Sequence, residues 1–231
     1  MNELVDDEFG AIAIKRVSNA KYIRLRLTPQ GKLAATLPRF ASLSSVKKLL
    51  DSSRPALRKA LRETIQSRPP LYVDGMRIGA SHTITMTYGE QSAARIRNQQ
   101  IVWTVAPEHS SSDDEEQDIV RATVRKALDR EAKAYLPRRL RYLADEHGFG
   151  YKSVRYSNAK GRWGSCSSQG VISLNVALMN LPMEIVDYVL IHELSHTRHL
   201  NHSPQFWFAV EQCYPEYQAA RKQLKTYSPY L

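Results

Sequence analysis

The stretch IHELSHTRHLNHSPQFW, residues 191–207, contains four of the chain's seven histidines and decides how the second half of the chain is interpreted. Apolar residues recur at helical spacing upstream of His192, which predicts that the stretch begins on a helix. Side chains at positions i and i+4 share a helical face, so His192 and His196 can direct two imidazoles at one metal ion. The order H-E-x-x-H also places Glu193 beside them, where a carboxylate can act as a general base.

A third ligand is expected because catalytic zinc usually takes three protein ligands and keeps one position open. His199 follows His192 by seven residues, about 10.5 Å along a helix, so it cannot join the first two ligands. His202 is better placed, because Asn201 tolerates the left-handed backbone that ends helices and Ser203-Pro204 is typical of a new helix start. The predicted ligands of a Zn²⁺ ion are His192, His196 and His202.

The bulk composition is that of a folded globular protein, with 42% hydrophobic and 24% charged residues in 231. The two cysteines form no CxxC pattern, which excludes a disulfide scaffold. The amino terminus is acidic where a secretory signal would be basic, and no apolar run approaches the roughly 20 residues that cross a bilayer. We therefore predict a cytoplasmic location and no membrane partner.

The first half of the chain is predicted to be β-rich. Alternating apolar residues flank a Pro-Gly turn at residues 28–32 and predict a hairpin, and a helix over residues 44–65 is expected to break at Pro55. The polar, acidic stretch 107–118 is interpreted as a linker at a domain boundary. The predicted fold is α+β, with domains at residues 1–112 and 113–231.

The positive charge is concentrated in the predicted first domain. Residues 1–112 carry 17 Lys+Arg against 9 Asp+Glu, a surplus of 8, out of a net charge of +10 for the whole chain. Such an asymmetry favours a nucleic-acid or nucleotide partner for this half, although a solvated basic face is an equal alternative.

The second half is predicted to alternate helices and strands before the histidine stretch. A helical repeat over residues 118–147 continues to His147-Gly148, with a kink expected at Pro137. A hairpin follows, with strands on either side of a turn at Gln169-Gly170.

Four motifs between Asn158 and Trp207, GRWGSC, ISLN, DYVLIHELSH and NHSPQFW, together resemble the YgjP-like metal-dependent hydrolases, a zincin-like group related to SprT-type metalloproteases. The stretch IRLRLTPQGKLAATLP near the amino terminus is also similar to that family. The resemblance implies a zincin-like metallopeptidase domain with an HExxH active-site helix, after a β-rich amino-terminal region. It further implies three histidines on zinc, Glu193 as catalytic base, and a peptide or protein substrate.

Other residues become candidates through the same resemblance. Zincin mechanisms commonly use a donor besides the metal, and Arg162 and Tyr156 are candidates to stabilise an oxyanion, with a structural salt bridge as the alternative for Arg162. His199 is a candidate hydrogen-bond donor to a ligand, a substrate contact or a surface residue. In zincins a strand beside the active-site helix can pair with an extended substrate, and GRWGSCS or VISLN is the corresponding segment.

Several neighbouring residues are predicted to be structural. Trp163 is expected to pack in the core rather than stack on substrate, and the aromatic residues 206–208 are expected to pack the second helix under the site rather than bind substrate. Cys166 is expected to be a buried small residue because no partner in the sequence would activate its thiol.

Three functions are compatible with these patterns. The leading hypothesis is a zinc-dependent metallopeptidase, in which Glu193 takes a proton from the attacking water. The second is a metal-dependent phosphoanhydride hydrolase acting on nucleotides, which the basic first half favours. The third is a nucleic-acid-associated binding module with structural zinc, although structural sites favour cysteine-rich ligand sets.

Overall fold

The computed structural model describes residues 2–28, 32–66 and 70–230, and the side chains of residues 3–28, 32–61 and 70–230. The strands are β1 (Asn2–Asp6), β2 (Gly10–Val17), β3 (Arg24–Leu27), β4 (Leu33–Pro38), β5 (Arg77–Ile78), β6 (His82–Tyr88), β7 (Ala93–Arg97), β8 (Gln100–Val105), β9 (Ser153–Ser157), β10 (Gly164–Cys166) and β11 (Val171–Asn175). The helices are α1 (Leu43–Gln66), α2 (Asp114–His147), α3 (Met183–Ser195), α4 (Pro204–Cys213) and α5 (Tyr217–Leu224), and a 3₁₀ helix covers Val176–Asn180.

The chain forms two compact units, residues 1–68 and residues 69–231. This division falls earlier than the predicted boundary between residues 112 and 113, because the sheet β5–β8 shares one hydrophobic core with α2 and α3. The end of the predicted linker belongs to helix α2 and is buried against that core: Glu116 is 0% exposed and accepts a hydrogen bond of 3.0 Å from the indole nitrogen of Trp103. A polar residue can be buried in this way when its hydrogen bonds are satisfied, and the acidic composition of residues 107–118 gave no sign of it.

The first unit is a four-stranded sheet in the order β1-β2-β4-β3 with α1 as its helix. The predicted hairpin is present as the antiparallel pair β3/β4, although residues 29–31 of its turn lie outside the described residues. The predicted break at Pro55 is wrong, because α1 runs through it for 24 residues. Buried side chains of the helix pack against buried side chains of the sheet on both sides of Pro55, and this packing offsets the missing backbone hydrogen bond. These side chains are Ile12, Leu33, Ala35, Leu37, Val46, Leu50 and Leu57.

An ion pair joins the first strand of this unit to its helix. The Arg54 guanidinium donates to the buried Asp6 carboxylate, with Nη2 and Oδ2 2.7 Å apart. Hydrogen bonds from Arg54 and from the backbone N–H groups of Phe9 and Glu8 lower the pKa of Asp6 to about 2. The ionised pair therefore stabilises the unit at neutral pH.

The second unit contains two sheets, one in the order β5-β6-β8-β7 and one in the order β10-β11-β9. The predicted hairpin is the antiparallel pair β10/β11, and a turn at Asn98, which has φ 53°, joins β7 to β8. Helix α2 runs through Pro137 for 34 residues and ends at Gly148, which is left-handed with φ 67°. Within residues 2–28, 32–66 and 70–230, no helix combines the length and the apolar character that crossing a membrane needs.

Helix α3 ends at Ser195, before the last predicted ligand. The Thr197 backbone N–H bonds the carbonyl of Leu194, and the hydroxyl of Thr197 bonds the same oxygen at 2.7 Å, so the chain tightens into a turn. The expected left-handed stop at Asn201 is wrong, since Asn98 is the one non-glycine residue with positive φ in the described chain. The predicted start of α4 is confirmed: the Ser203 hydroxyl accepts the Phe206 N–H at 3.4 Å.

Candidate metal centre

Three imidazoles converge where α3 gives way to the turn before α4. His192 lies in the last turn of α3, His196 caps the helix, and His202 lies in the segment that leads to α4. One ring nitrogen from each lies within 4.8 Å of the others, and the Nε2 atoms of His192 and His202 are 3.1 Å apart. The structure thus brings together the three side chains that the spacing had selected.

This arrangement fits a cation with tetrahedral coordination that takes three nitrogen ligands. Two imidazoles bound to one zinc ion at about 2.0 to 2.1 Å have their nitrogens roughly 3.3 Å apart. The His192–His202 separation of 3.1 Å is close to that value, and the ring nitrogen of His196 lies within 4.8 Å of both. Among the described residues, these histidines are the one group of three or more metal-binding side chains so placed.

The protonation states of two of these histidines suit metal binding. Burial, with the neighbouring His196 and His202, lowers the pKa of His192 to about 3, and burial also lowers the pKa of His196. Both rings are therefore neutral at pH 7, and a neutral imidazole binds a metal without first losing a proton.

A backbone carbonyl orients the ring of His196. Its Nδ1 donates to the carbonyl oxygen of His199 at 3.0 Å, which leaves Nε2 deprotonated and free to act as a ligand. The tight turn after α3 produces this contact, because it folds residue 199 back beneath residue 196. His199, a candidate donor by sequence, contributes here an acceptor from its main chain.

The carboxylate of Glu193 lies at the end of α3 in a nearly dry environment. Glu193 is 5% exposed, its Oε2 has no hydrogen-bond partner in the described structure, and burial raises the pKa of this carboxyl to about 8. Strand β10 closes one side of it: a Cβ added to Gly164 would lie 2.6 Å from Oε1 of Glu193. Only a glycine leaves room for the carboxylate in its observed position.

Aromatic rings surround the three histidines. Phe206, which is 0% exposed, stacks on His196 with centroids 4.4 Å apart and meets His192 and His202 edge to face. Trp207 stacks on His202 with centroids 5.5 Å apart. The prediction that residues 206–208 pack beneath the site is confirmed for the first two but wrong for Phe208, which is 63% exposed.

The other candidates lie in different surroundings. Tyr156 is on β9, separated from β10 by β11, and lines a cavity of about 280 Å³ with Arg125 and Asp129 of α2. The side chain of Arg162 is exposed, and no hydrogen bond or ion pair of its guanidinium is described. The ring of His199 lines a separate cleft of about 700 Å³ with residues of α4. The described contacts join none of these three side chains to the imidazole cluster.

Two further predictions concern packing around the site. Trp163 packs against the main core, as expected, and Cys166 packs there too but is only partly buried. Burial and the nearby Glu193 raise the pKa of the Cys166 thiol, so the side chain is not poised as a thiolate nucleophile.

Gly164 and Trp207 are the residues near the site whose roles the sequence analysis missed. A glycine inside a strand indicates a close approach by another group, and this signal was available in GRWGSC. No comparable local signal relates Trp207 to His202, because an aromatic residue on a helix is ordinarily part of a core.

Comparison with known proteins places the chain in a family. The family model YgjP-like, metallopeptidase domain, matches residues 21–227. A search of curated proteins found no match. One solved structure, the metallopeptidase zymogen of Pyrococcus abyssi abylysin, is 31% identical over 39% of this chain and 91% of its own, with a TM-score of 0.36. Because the family model spans nearly the whole sequence, the chain belongs to the YgjP-like family and contains its metallopeptidase domain.

Proposed function

We propose that this protein is a zinc-dependent metallopeptidase in which His192, His196 and His202 bind the ion and Glu193 is the general base. The observation that carries the proposal is the convergence of three imidazole nitrogens within 4.8 Å at the end of a helix that also holds a buried carboxylate. Three protein ligands leave one coordination position for water or substrate, which is the arrangement of catalytic zinc sites.

Bound zinc would polarise the scissile carbonyl and make water a stronger nucleophile. Glu193 takes the proton of the attacking water on its free Oε2 and passes it to the leaving amine. Its dry surroundings suit both steps: a carboxylate with a raised pKa is a stronger base than one in water, and a nearby dication favours the ionised form before attack.

The proposed substrate is a peptide or protein bound in an extended conformation. In the described sheet β10-β11-β9, strand β10 is an edge strand that pairs with β11 on one side only. An extended peptide can add to such an edge through main-chain hydrogen bonds. Since Gly164 of β10 abuts Glu193, a peptide on this edge would have its backbone next to the proposed base.

The variant Glu193→Gln tests the proposal with almost no change in side-chain shape. We expect it to keep zinc, measured by metal analysis of purified protein, and to lose about 10²- to 10⁴-fold in peptide cleavage, the usual contribution of a general base. Glu211→Gln is the matched control, because it makes the same chemical change at an exposed position on α4.

Two results would contradict the proposal. Undiminished cleavage by Glu193→Gln would remove the carboxylate from the mechanism, and metal-dependent phosphate release from nucleotides without cleavage of any peptide would reject the peptide substrate. The cytoplasmic location and a nucleic-acid or nucleotide partner for the basic first half stay predictions from the sequence.

A further inference from the structure

The three histidines differ in what holds each ring in place. His192 belongs to the last turn of α3, and the ring of His196 is fixed by its hydrogen bond to the His199 carbonyl. His202 lies outside any helix and is exposed. In the described structure its one nitrogen contact is with Nε2 of His192, so no carbonyl or carboxylate sets its orientation.

Stacked aromatic rings take the place of that missing hydrogen bond. The indole of Trp207 lies 5.5 Å from the His202 ring at an interplanar angle of 20°. Tyr217 of α5 stacks in turn on Trp207 at 5.5 Å and 19°, and the Arg221 guanidinium carbon lies 4.5 Å from the indole centroid. We call Trp207, Tyr217 and Arg221 the α4–α5 brace.

We propose that Trp207, supported by α5, is the positioning residue for His202 in the metal centre; this inference rests on the proposed function. Stacking restricts the tilt of the imidazole plane but leaves both ring nitrogens at its edge unobstructed. A metal ligand on a loop needs such a restraint. Without it, the free energy of metal binding must also offset the conformational entropy that the side chain and the loop backbone lose when they are ordered. Metal-binding histidines usually obtain this restraint from a hydrogen bond, and removing that bond typically weakens metal binding 10- to 100-fold.

The brace also explains a feature of the sequence around α4. The pair Phe206-Trp207 directs one ring into the core and the next towards His202, since successive helical residues lie about 100° apart. Phe206 contacts all three histidines, whereas Trp207 stacks on His202 and, of the other two, meets only His192, whose ring is tilted by 56° with centroids 5.8 Å apart. Among the three histidines only His202 lies parallel to the Trp207 ring, so a substitution at Trp207 should act mainly through that ligand.

The test measures zinc affinity of the full chain by competition with a chromophoric chelator. We expect Trp207→Leu to weaken zinc binding about 10- to 100-fold. Trp207→Phe, which keeps a stacking ring, should recover most of the loss. Phe208→Leu is the matched control, because Phe208 is the next residue on the same helix and is exposed. Thermal unfolding of each metal-free variant shows whether a loss of zinc affinity is caused by a less stable fold.

A double-mutant cycle with His202→Ala separates positioning from general stability. If Trp207 acts through His202, adding Trp207→Leu to His202→Ala should weaken zinc binding no further. If Trp207→Leu bound zinc as tightly as the wild type, or if the losses were fully additive in the double variant, the positioning role of Trp207 would be rejected. The proposed function would be unaffected by either result. A wild-type chain that binds no stoichiometric zinc would overturn the proposed function and this inference with it.

Discussion

Replacing Gly164 by alanine should disable the proposed base while leaving the metal site intact. The added Cβ would lie 2.6 Å from Oε1, 2.7 Å from Cγ and 2.8 Å from Cδ of Glu193, whereas ordinary contacts begin at 3.4 Å. All three neighbours belong to one flexible side chain, so the carboxylate yields before the backbone does. A displacement of about 1 Å in a reacting group reduces the rate on the order of 100-fold, or about 2.7 kcal/mol in the barrier.

The assay is kcat/KM for a cleaved peptide, with zinc content and thermal unfolding measured on the same preparations. Gly161→Ala is the control, because Gly161 lies in the loop before β10 and a Cβ there meets nothing within 4 Å. In a Glu193→Gln background, Gly164→Ala should cause little further loss, since the base is already absent. A zinc-loaded Gly164→Ala enzyme with wild-type kcat/KM would refute this reasoning.

Two other predictions concern stability. Because hydrogen bonding to Arg54 lowers the pKa of Asp6 from 3.8 to about 2, the pair's contribution is complete above about pH 4 and is lost as the pH falls towards 2. In urea unfolding, the wild type should therefore have a higher free energy of unfolding than Asp6→Asn at pH 6, and this difference should shrink by pH 2. A difference in the free energy of unfolding that does not depend on pH would reject the ion pair as its source. A fragment of residues 69–231 should unfold cooperatively, whereas one of residues 113–231 should not, because it lacks Trp103 and the sheet that completes the core. Circular dichroism on heating distinguishes the two fragments. A cooperative transition in the shorter fragment would contradict the division of the chain into units of residues 1–68 and 69–231.

The parts of the site that the sequence predicted are those set by helical geometry. The spacing of His192, Glu193 and His196 determines which face of α3 they occupy, whatever the helix packs against. Ser203 and Pro204 likewise start α4 through a local cap, so the break that lets His202 turn back was predictable. The proposed ligand set followed from these local rules.

The fold was less predictable wherever strand pairing or the burial of side chains brings together residues that are distant in the sequence. The sequence predicted hairpins, but β2 also pairs in parallel with β4, and β6 with β8. Pro55 was expected to end a helix because proline removes a hydrogen bond, and packing on both sides of it prevailed. The acidic stretch 107–118 was interpreted as a linker because its composition does not show that Glu116 meets Trp103 in the core.

The sequence by itself determined the helix, its two histidines and carboxylate, and the third histidine beyond the helix end, because each depends on residues a few positions apart. The tertiary structure alone decided that β10 brings Gly164 against Glu193, that the His199 carbonyl turns back to His196, and that Trp207 stacks on His202. The physical reason is that metal ligands can be recognised from the local periodicity of the backbone. The groups that orient them are selected by shape and by hydrogen bonds formed only once the elements have packed.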